Sequence, residues 1–184
     1  MKFQGLLMTT LIAALWVLLY YLNHTLFRFT EVTQLTSLIF IPSGFKIAVT
    51  TILRTRAWLG LFLGSILTGY LFLKNFSAFD VIVFSMLSAS LPFAALRLSE
   101  YFLPLKRDLS NLKIKHILLM GFIYAALNGV FHVGYRYHVL FVRDVHEMRE
   151  LLSMMAGDVL GILISMLLIA KLSRLGVVQS LLKK

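Results

Sequence analysis

The chain has 184 residues, of which 59% are hydrophobic and only 14% are charged, and its formal net charge is +10. This composition and a mean hydropathy of +0.86 exclude an ordinary soluble enzyme core, and the aromatic content of 13% excludes a disordered chain. The absence of cysteine excludes disulfides, thiolate zinc sites and a cysteine nucleophile. We therefore predict one integral membrane domain over residues 1–184, an all-α polytopic transmembrane helical bundle.

Six segments have the length and composition of a membrane span, which needs roughly 20 mostly apolar residues. The first follows a basic start at Lys2 and is not followed by a small-residue cleavage site, so we expect a retained helix and not a signal peptide. Pro42 interrupts the second segment, and Pro92 lies near the end of the fourth. The predicted spans are about 5–22, 33–53, 57–73, 79–96, 117–135 and 151–170.

The basic residues indicate the orientation of these spans. With the N-terminus inside, twelve lie on the cytoplasmic side, five on the outer side and Lys46 within a span. The positive-inside rule then predicts that both termini are cytoplasmic. Anionic membrane lipid is thus a sufficient partner for the positive charge, and we predict no nucleic-acid partner. The cytoplasmic set is Lys2, Arg54, Arg56, Arg97, Lys106, Arg107, Lys113, Lys115, Lys171, Arg174, Lys183 and Lys184.

Two ionisable residues of opposite sign, Lys46 and Asp158, fall inside predicted spans. A charge at membrane depth costs roughly 2.5–3.5 kcal/mol on insertion scales, so each residue needs a reason to be there. One hypothesis is that the two pair or jointly line a polar cavity. The alternative is that Lys46 extends towards the cytoplasm while Asp158 is a hydrogen-bonded packing residue.

The segment Pro42-Ser43-Gly44 is expected to break the second span, because proline lacks a backbone donor and glycine tolerates unusual dihedral angles. Inside a bilayer such a break persists only where protein or a wet cavity satisfies the backbone. We therefore place this segment, with Lys46 just after it, towards the interior of the bundle. A proline kink without a ligand is the alternative.

Other small or polar residues recur at helical spacing. Tyr124, Asn128 and His132 lie four residues apart and share one face of the fifth span, which predicts a pocket wall or hydrogen bonds between helices. Two stripes of small residues predict close packing between spans or in a homodimer. These stripes are Gly60, Gly64 and Thr68 in the third span, and Gly157, Gly161 and Ser165 in the sixth.

No arrangement of residues in the sequence is typical of catalysis: there is no credible Ser/His/Asp spacing, no phosphate loop and no pair of carboxylates within the membrane. We predict that the chain is not an enzyme and needs no cofactor. His146 and Glu150 lie four residues apart in an outer loop, but charges at a membrane entry usually mark a solvated helix start. We predict no metal site.

The order of these motifs resembles the first class of bacterial membrane-associated sensor domains. The stretch Phe40-Ile41-Pro42-Ser43-Gly44-Phe45-Lys46 resembles that family's proline-glycine motif, and Gly157-Asp158-Val159-Leu160-Gly161 its glycine-aspartate-x-x-glycine signature. An aromatic-glycine helix, Trp58 to Gly64, lies between them. The resemblance covers roughly residues 35–172, although the family domain is often longer and Phe40-Ile41 stands where a tryptophan often precedes the prolines.

The resemblance implies a sensory or scaffolding bundle in the bacterial inner membrane, similar to the membrane part of a sugar-phosphate sensor kinase that works with a membrane receptor. We expect a stand-alone form without an output domain, which acts through another membrane protein or as a homo-oligomer. The alternative function is a small transport component whose substrate site lies at the broken second span.

Overall fold

The structure, a computed structural model, describes residues 2–143 and 145–173. Five helical stretches in these ranges are long and apolar enough to cross a membrane. This finding fits a membrane protein, whereas the predicted number of six spans is not confirmed, because Pro42–Phe72 forms one stretch that contains two helices and a 3₁₀ turn. The helices are α1 (Lys2–Phe27), α2 (Pro42–Leu53), α3 (Trp58–Phe72), α4 (Ala78–Phe102), α5 (Ile114–Gly134) and α6 (Glu147–Ser173).

Helices α1 and α3 pack in parallel. Gly60, near the start of α3, lies against Ile12 of α1, and at the end of α3 the ring of Phe72 lies 5.1 Å from that of Tyr20, two turns further along α1. Because two parallel helices begin at the same end of the bundle, the chain between them must return over the height of the bundle. Helix α2 lies in this returning segment.

The remaining helices alternate in direction. Trp58 at the start of α3 donates to Ser90 of α4 at 3.0 Å, while Gly69 near the end of α3 lies against Val81. Helices α4 and α5 are antiparallel in the same way, as are α5 and α6, where Gly121 lies against Ile162. Helix α2 runs parallel to α6. The six helices therefore run in alternating directions along the chain.

The prediction of a helix over residues 33–53 is wrong in its first part. Residues Glu31–Thr33 (β1) and Thr36–Ser37 (β2) form a small antiparallel hairpin, which marks the hairpin end of the bundle. Residues 38–41 are not helical, and α2 begins at Pro42. Proline suits the first turn of a helix because its missing N–H has no intrahelical partner there. Pro42 therefore starts a helix of 12 residues and does not interrupt one.

Several helices extend beyond the predicted spans. Helix α4 continues past the buried Pro92 to Phe102, and a π-helical turn, Tyr135–Val139, extends α5. Helix α6 begins at Glu147, so the predicted connection 136–150 is shorter than expected. Hydropathy identifies only the apolar middle of a helix, whereas polar first and last turns are determined by caps such as the Ser77–Asp80 capping box of α4.

Helix α1 keeps one leucine-rich face outside the bundle. Its most apolar window buries the smallest share of residues among the five stretches. Spacings of three and four residues place the exposed leucines along one side of the helix. This side fits a surface for lipid acyl chains, and its leucines are Leu7, Leu11, Leu15, Leu18 and Leu22.

Substituting Gly161→Ala tests the close approach between α6 and the returning segment. A Cβ at Gly161 would lie 1.8 Å from the carbonyl oxygen of Phe40, so the two backbones must separate. We expect a loss of about 1–3 kcal/mol in unfolding free energy, measured by reversible unfolding in mild detergent. Gly134→Ala is the control, because a Cβ there meets nothing within 4 Å. Equal stability of the two variants would contradict this packing.

Candidate functional site

Lys46 lies in the centre of the bundle with only 3% of its surface exposed. Its Nζ donates to the Ser88 hydroxyl at 2.6 Å and to the Tyr124 hydroxyl at 3.0 Å. The same atom lies 4.6 Å from the centroid of the Trp16 ring, a cation–π distance. The ammonium group is therefore held between α1, α4 and α5, and it does not extend towards the end of the bundle.

Asp158, 1% exposed, lies on α6 facing α5. Its Oδ2 accepts a hydrogen bond from Asn128 Nδ2 at 2.7 Å, and its backbone carbonyl accepts one from Ser43 at 2.9 Å. Within the described ranges no ion pair joins Asp158 to Lys46, although the carboxylate is close enough to act electrostatically on the ammonium. The two opposite charges therefore share one interior while each bonds to neutral groups.

The predicted polar stripe of α5 connects these two charges. Tyr124 bonds to Lys46, Asn128 bonds to Asp158, and His132 follows one turn later. The His132 Nδ1 lies 3.1 Å from the Asn128 carbonyl oxygen, and its ring stacks on Phe84 with an interplanar angle of 10°. All three side chains of the stripe are buried, so this face of α5 points into the bundle.

A cavity of about 70 Å³ lies beside this network. Because one water needs about 10–15 Å³ of such volume, the cavity has room for several waters or a small polar ligand. Three of the residues predicted to form a polar cavity line it, Lys46, Asn128 and His132, whereas Tyr124 and Asp158 are not part of its lining. The amide oxygen of Asn128 is buried and has no hydrogen-bond partner among the described residues. The wall also contains Trp16, Tyr20, Phe40, Ser65, Thr68, Phe84, Ser85 and Ser88.

The non-helical residues 38–41 have hydrogen-bond partners on two other helices. Asn23 of α1 donates to the Ile39 carbonyl at 3.1 Å and accepts from the Ile41 N–H at 2.9 Å. On the opposite side, the Phe40 N–H donates to the Gly157 carbonyl at 3.2 Å. Ser165 donates to the Ile41 carbonyl at 3.1 Å. The non-helical backbone is therefore satisfied by protein, as burial away from water requires.

Both stripes of small residues face other parts of the same chain. Gly157 and Gly161 contact the backbone of the returning segment at Ser37 and Phe40, and Ser165 lies against Gly44 at the start of α2. In α3 the stripe faces α1: Gly60 and Gly64 contact Ile12 and Trp16, and Thr68 accepts a hydrogen bond from the Trp16 indole at 3.2 Å. Pro42 and Ser43 are buried in the first turn of α2, just before Lys46 along the chain.

A second buried charge cluster closes the hairpin end, and the sequence did not indicate it. Glu150 is fully buried (0% exposed), forms an ion pair with Arg136 and accepts hydrogen bonds from Thr33 at 2.8 Å and Thr36 at 3.1 Å. Glu150 thereby holds the hairpin against α5 and α6. Leu35 of the same hairpin lines the cavity beside Lys46. In the described ranges, no group of three or more His, Asp or Glu residues is arranged to hold a metal ion.

Other residues of the site were harder to predict from the sequence. Asn23 follows the first predicted span, where an amide is usual at a membrane surface. Its position therefore gave no indication that it bonds to the backbone of residues 39 and 41. Trp16 is one aromatic residue in an apolar run. Ser85 and Ser88 are three residues apart on α4, and the spacing rule that found the α5 stripe could have placed both on an inward face.

Comparison of the chain with protein-family models, with curated proteins and with solved structures finds no match. The geometry of the site is therefore the basis for the functional inference.

We expect Asn128 and Asp158 to be energetically coupled. Because each side chain is buried against the other, Asn128→Ala and Asp158→Ala together should cost less than the sum of the single substitutions, with a coupling of about 1–2 kcal/mol. Reversible unfolding in detergent measures this double-mutant cycle. A cycle between Asn128→Ala and Thr10→Ala is the control, since Thr10 is exposed and its hydroxyl bonds to the Leu6 carbonyl of its own helix. Additive losses in the first cycle would contradict the assigned hydrogen bond.

Glu150→Ala should open the hairpin end, because it leaves the buried Arg136 without this carboxylate. Removing one partner of a buried ion pair typically costs about 3–5 kcal/mol. The matched control is Glu147→Ala on the same helical turn, whose partner His138 is 67% exposed and Glu147 itself 46% exposed. Hydrogen exchange of residues 31–37 should accelerate in the first variant only. Equal exchange in both variants would show that Glu150 does not hold the hairpin.

Proposed function

We propose that this chain is a non-catalytic sensory or regulatory protein of the bacterial inner membrane. It binds a small polar ligand in the cavity beside Lys46 and acts through a partner, either another membrane protein or a second copy of the chain. The observation that carries the proposal is the buried Lys46 ammonium, which lines a cavity and, among the described residues, bonds to two hydroxyl groups and lies over an aromatic ring.

No carboxylate of the described residues contacts the buried ammonium, which favours a ligand that carries hydrogen-bond acceptors. Burial of a charge at membrane depth costs roughly 2.5–3.5 kcal/mol on insertion scales, and hydroxyl groups offset only part of that cost. A carboxylate or another acceptor group in the cavity would complete the coordination of Lys46. Ser65, whose hydroxyl lies 3.2 Å from that of Ser88, adds a further polar group on the same wall.

Lys46 lies on α2, so this helix connects the cavity to the end of the bundle opposite the hairpin. Helix α2 is short, begins next to the hairpin end and leads into the turn Arg54–Ala57, where Arg54 pairs with Glu100 of α4. A ligand that draws Lys46 into the cavity changes the packing of α2 against α6. The turn after α2 then carries that change to the surface where a partner binds.

The proposed topology has six crossings with both termini in the cytoplasm. The alternating directions of the six helices support it, since the non-helical residues 38–41 and α2 return the chain to the end of the bundle where α3 begins. The excess of basic residues at the end of the bundle where α1 begins supports a cytoplasmic location for that end. Membrane lipid surrounds the bundle, and nucleic acid is not a partner.

The resemblance to membrane-associated sensor domains also supports this reading. The residues of its two motifs meet in the structure, since Gly157 and Gly161 pack on residues 37–40 and the Ser43 hydroxyl bonds to the Asp158 carbonyl. The alternative, a small transport component, is favoured by one observation: a non-helical segment lies next to buried charges, an arrangement used by substrate sites of transporters.

The proposal is tested by purifying the tagged chain in a gentle detergent at native expression and identifying bound membrane proteins by mass spectrometry. We expect a stoichiometric partner that wild type retains. In Lys46→Ala the recovered amount of this partner should fall at least about fivefold, which corresponds to a loss of about 1 kcal/mol in binding free energy. Asp158→Ala should act similarly. Lys74→Ala, an exposed lysine at the opposite end, is the control and should retain the partner.

Two outcomes would contradict the proposal. A partner retained equally by Lys46→Ala and Asp158→Ala would separate the buried charges from signalling. Solute uptake that requires both residues, without any stable partner, would establish the transport alternative.

A further inference from the structure

Two adjoining grooves lie at the end of the bundle where α2 ends and α3 begins. The first is an open groove of about 380 Å³ whose charged lining consists of four arginines, Arg54, Arg56, Arg97 and Arg107. The second, of about 500 Å³, is mainly apolar and shares Arg54 and Arg97 with the first. One continuous depression therefore has a cationic half and an apolar half.

The cationic half keeps an excess of positive charge. Glu100 pairs with both Arg54 and Arg97, which offsets one of the four charges. Within the described ranges no ion pair involves Arg56 or Arg107, and both are exposed. The Nη2 of Arg54 is buried and has no hydrogen-bond partner among the described residues.

Asp108, the next acidic residue along the chain, is committed elsewhere. Its carboxylate accepts a hydrogen bond from the Ser110 N–H at 3.1 Å. The hydrogen bonds from Ser110 lower the pKa of the Asp108 carboxyl, so Asp108 stays ionised within its own turn. It is not among the residues that line the cationic groove.

The apolar half has the chemistry of a membrane interface. Its wall contains Trp58, Phe93 and Leu96. The Trp58 indole donates to Ser90 at 3.0 Å, which fixes the ring, and tryptophan is enriched at the level of lipid headgroups. A groove of this composition fits an acyl chain or a glycerol backbone and not a free ion.

We propose that this double groove is a binding site for an anionic phospholipid, with the phosphate headgroup on the arginines and the first part of an acyl chain along Trp58 and Phe93. Arginine suits phosphate because its planar guanidinium donates two parallel hydrogen bonds. Inorganic phosphate offers the same headgroup chemistry but would leave the apolar half empty. The continuity of the two halves therefore favours the lipid, and this site is separate from the cavity at Lys46.

Fluorescence quenching in nanodiscs tests the site, because the chain has only two tryptophans. In a Trp16→Phe background, Trp58 is the only reporter. Phosphatidylglycerol brominated on its acyl chains should quench Trp58 at least about twice as strongly as brominated phosphatidylcholine at the same mole fraction, given the attraction of each basic residue to anionic lipid. Arg56→Ala combined with Arg107→Ala should abolish this difference.

The control is Lys115→Ala combined with Lys171→Ala, which removes the same charge from exposed positions at this end of the bundle but outside both grooves. This control should keep the preference for phosphatidylglycerol. Equal quenching by the two lipids, or equal loss of the preference in both double variants, would overturn the site and leave only a general attraction of the surface. Loss of the preference in excess inorganic phosphate would assign the arginines to a free phosphate group and overturn the lipid.

Native mass spectrometry of the otherwise unchanged chain gives a second measurement that does not depend on Trp16→Phe. Wild type should retain phosphatidylglycerol in preference to phosphatidylcholine, and the double arginine variant should lose at least about tenfold in its affinity for phosphatidylglycerol. Retention that is the same for both lipids, or the same in the variant, would also overturn the proposal.

Discussion

The requirement that buried backbone be hydrogen-bonded determines how this bundle is built around residues 38–41. These residues are not helical, and Asn23 on one side and α6 on the other bond to their N–H and carbonyl groups. The approach of α6 is possible only because Gly157 and Gly161 have no side chains. This arrangement fixes where α2 starts, and four residues after that start it places Lys46 in the centre of the protein.

The interior separates its two charges by neutral polar groups. A direct contact between Lys46 and Asp158 would neutralise both, whereas here Tyr124 and Asn128 each bond to one of them. The ammonium therefore remains available at a cavity wall. The free-energy cost of burying these two charges without direct contact is easier to explain in a protein that binds a ligand in the cavity than in one that only packs helices. The same reasoning does not extend to Glu150, whose ion pair with Arg136 closes the hairpin end.

Sequence reasoning could predict what depends on local periodicity. Apolar length located the helices, and the spacing of Tyr124, Asn128 and His132 identified a face that is buried in the structure. The hairpin and the non-helical conformation of residues 38–41 were not predicted, because the apolar run Leu38–Ile41 has the composition of a helix and its partners lie up to 124 residues away. Glu150 was placed in a solvated loop because its partners are distant in sequence. Residue spacing along a helix does not indicate its hydrogen bond with Thr33 or its ion pair with Arg136.

The parallel pairing of α1 with α3 has a consequence for biosynthesis. While the chain is being inserted into the membrane, α1, α2 and α3 emerge first, yet the N–H of Phe40 bonds to the carbonyl of Gly157, which is translated 117 residues later. Until α6 has been inserted, this N–H lacks its partner, whereas Asn23 and the first turn of α2 already bond to the carbonyls of Ile39 and Ile41. The half-made protein must therefore keep this segment near water or the insertion machinery, and completion of the fold is coupled to the arrival of α6.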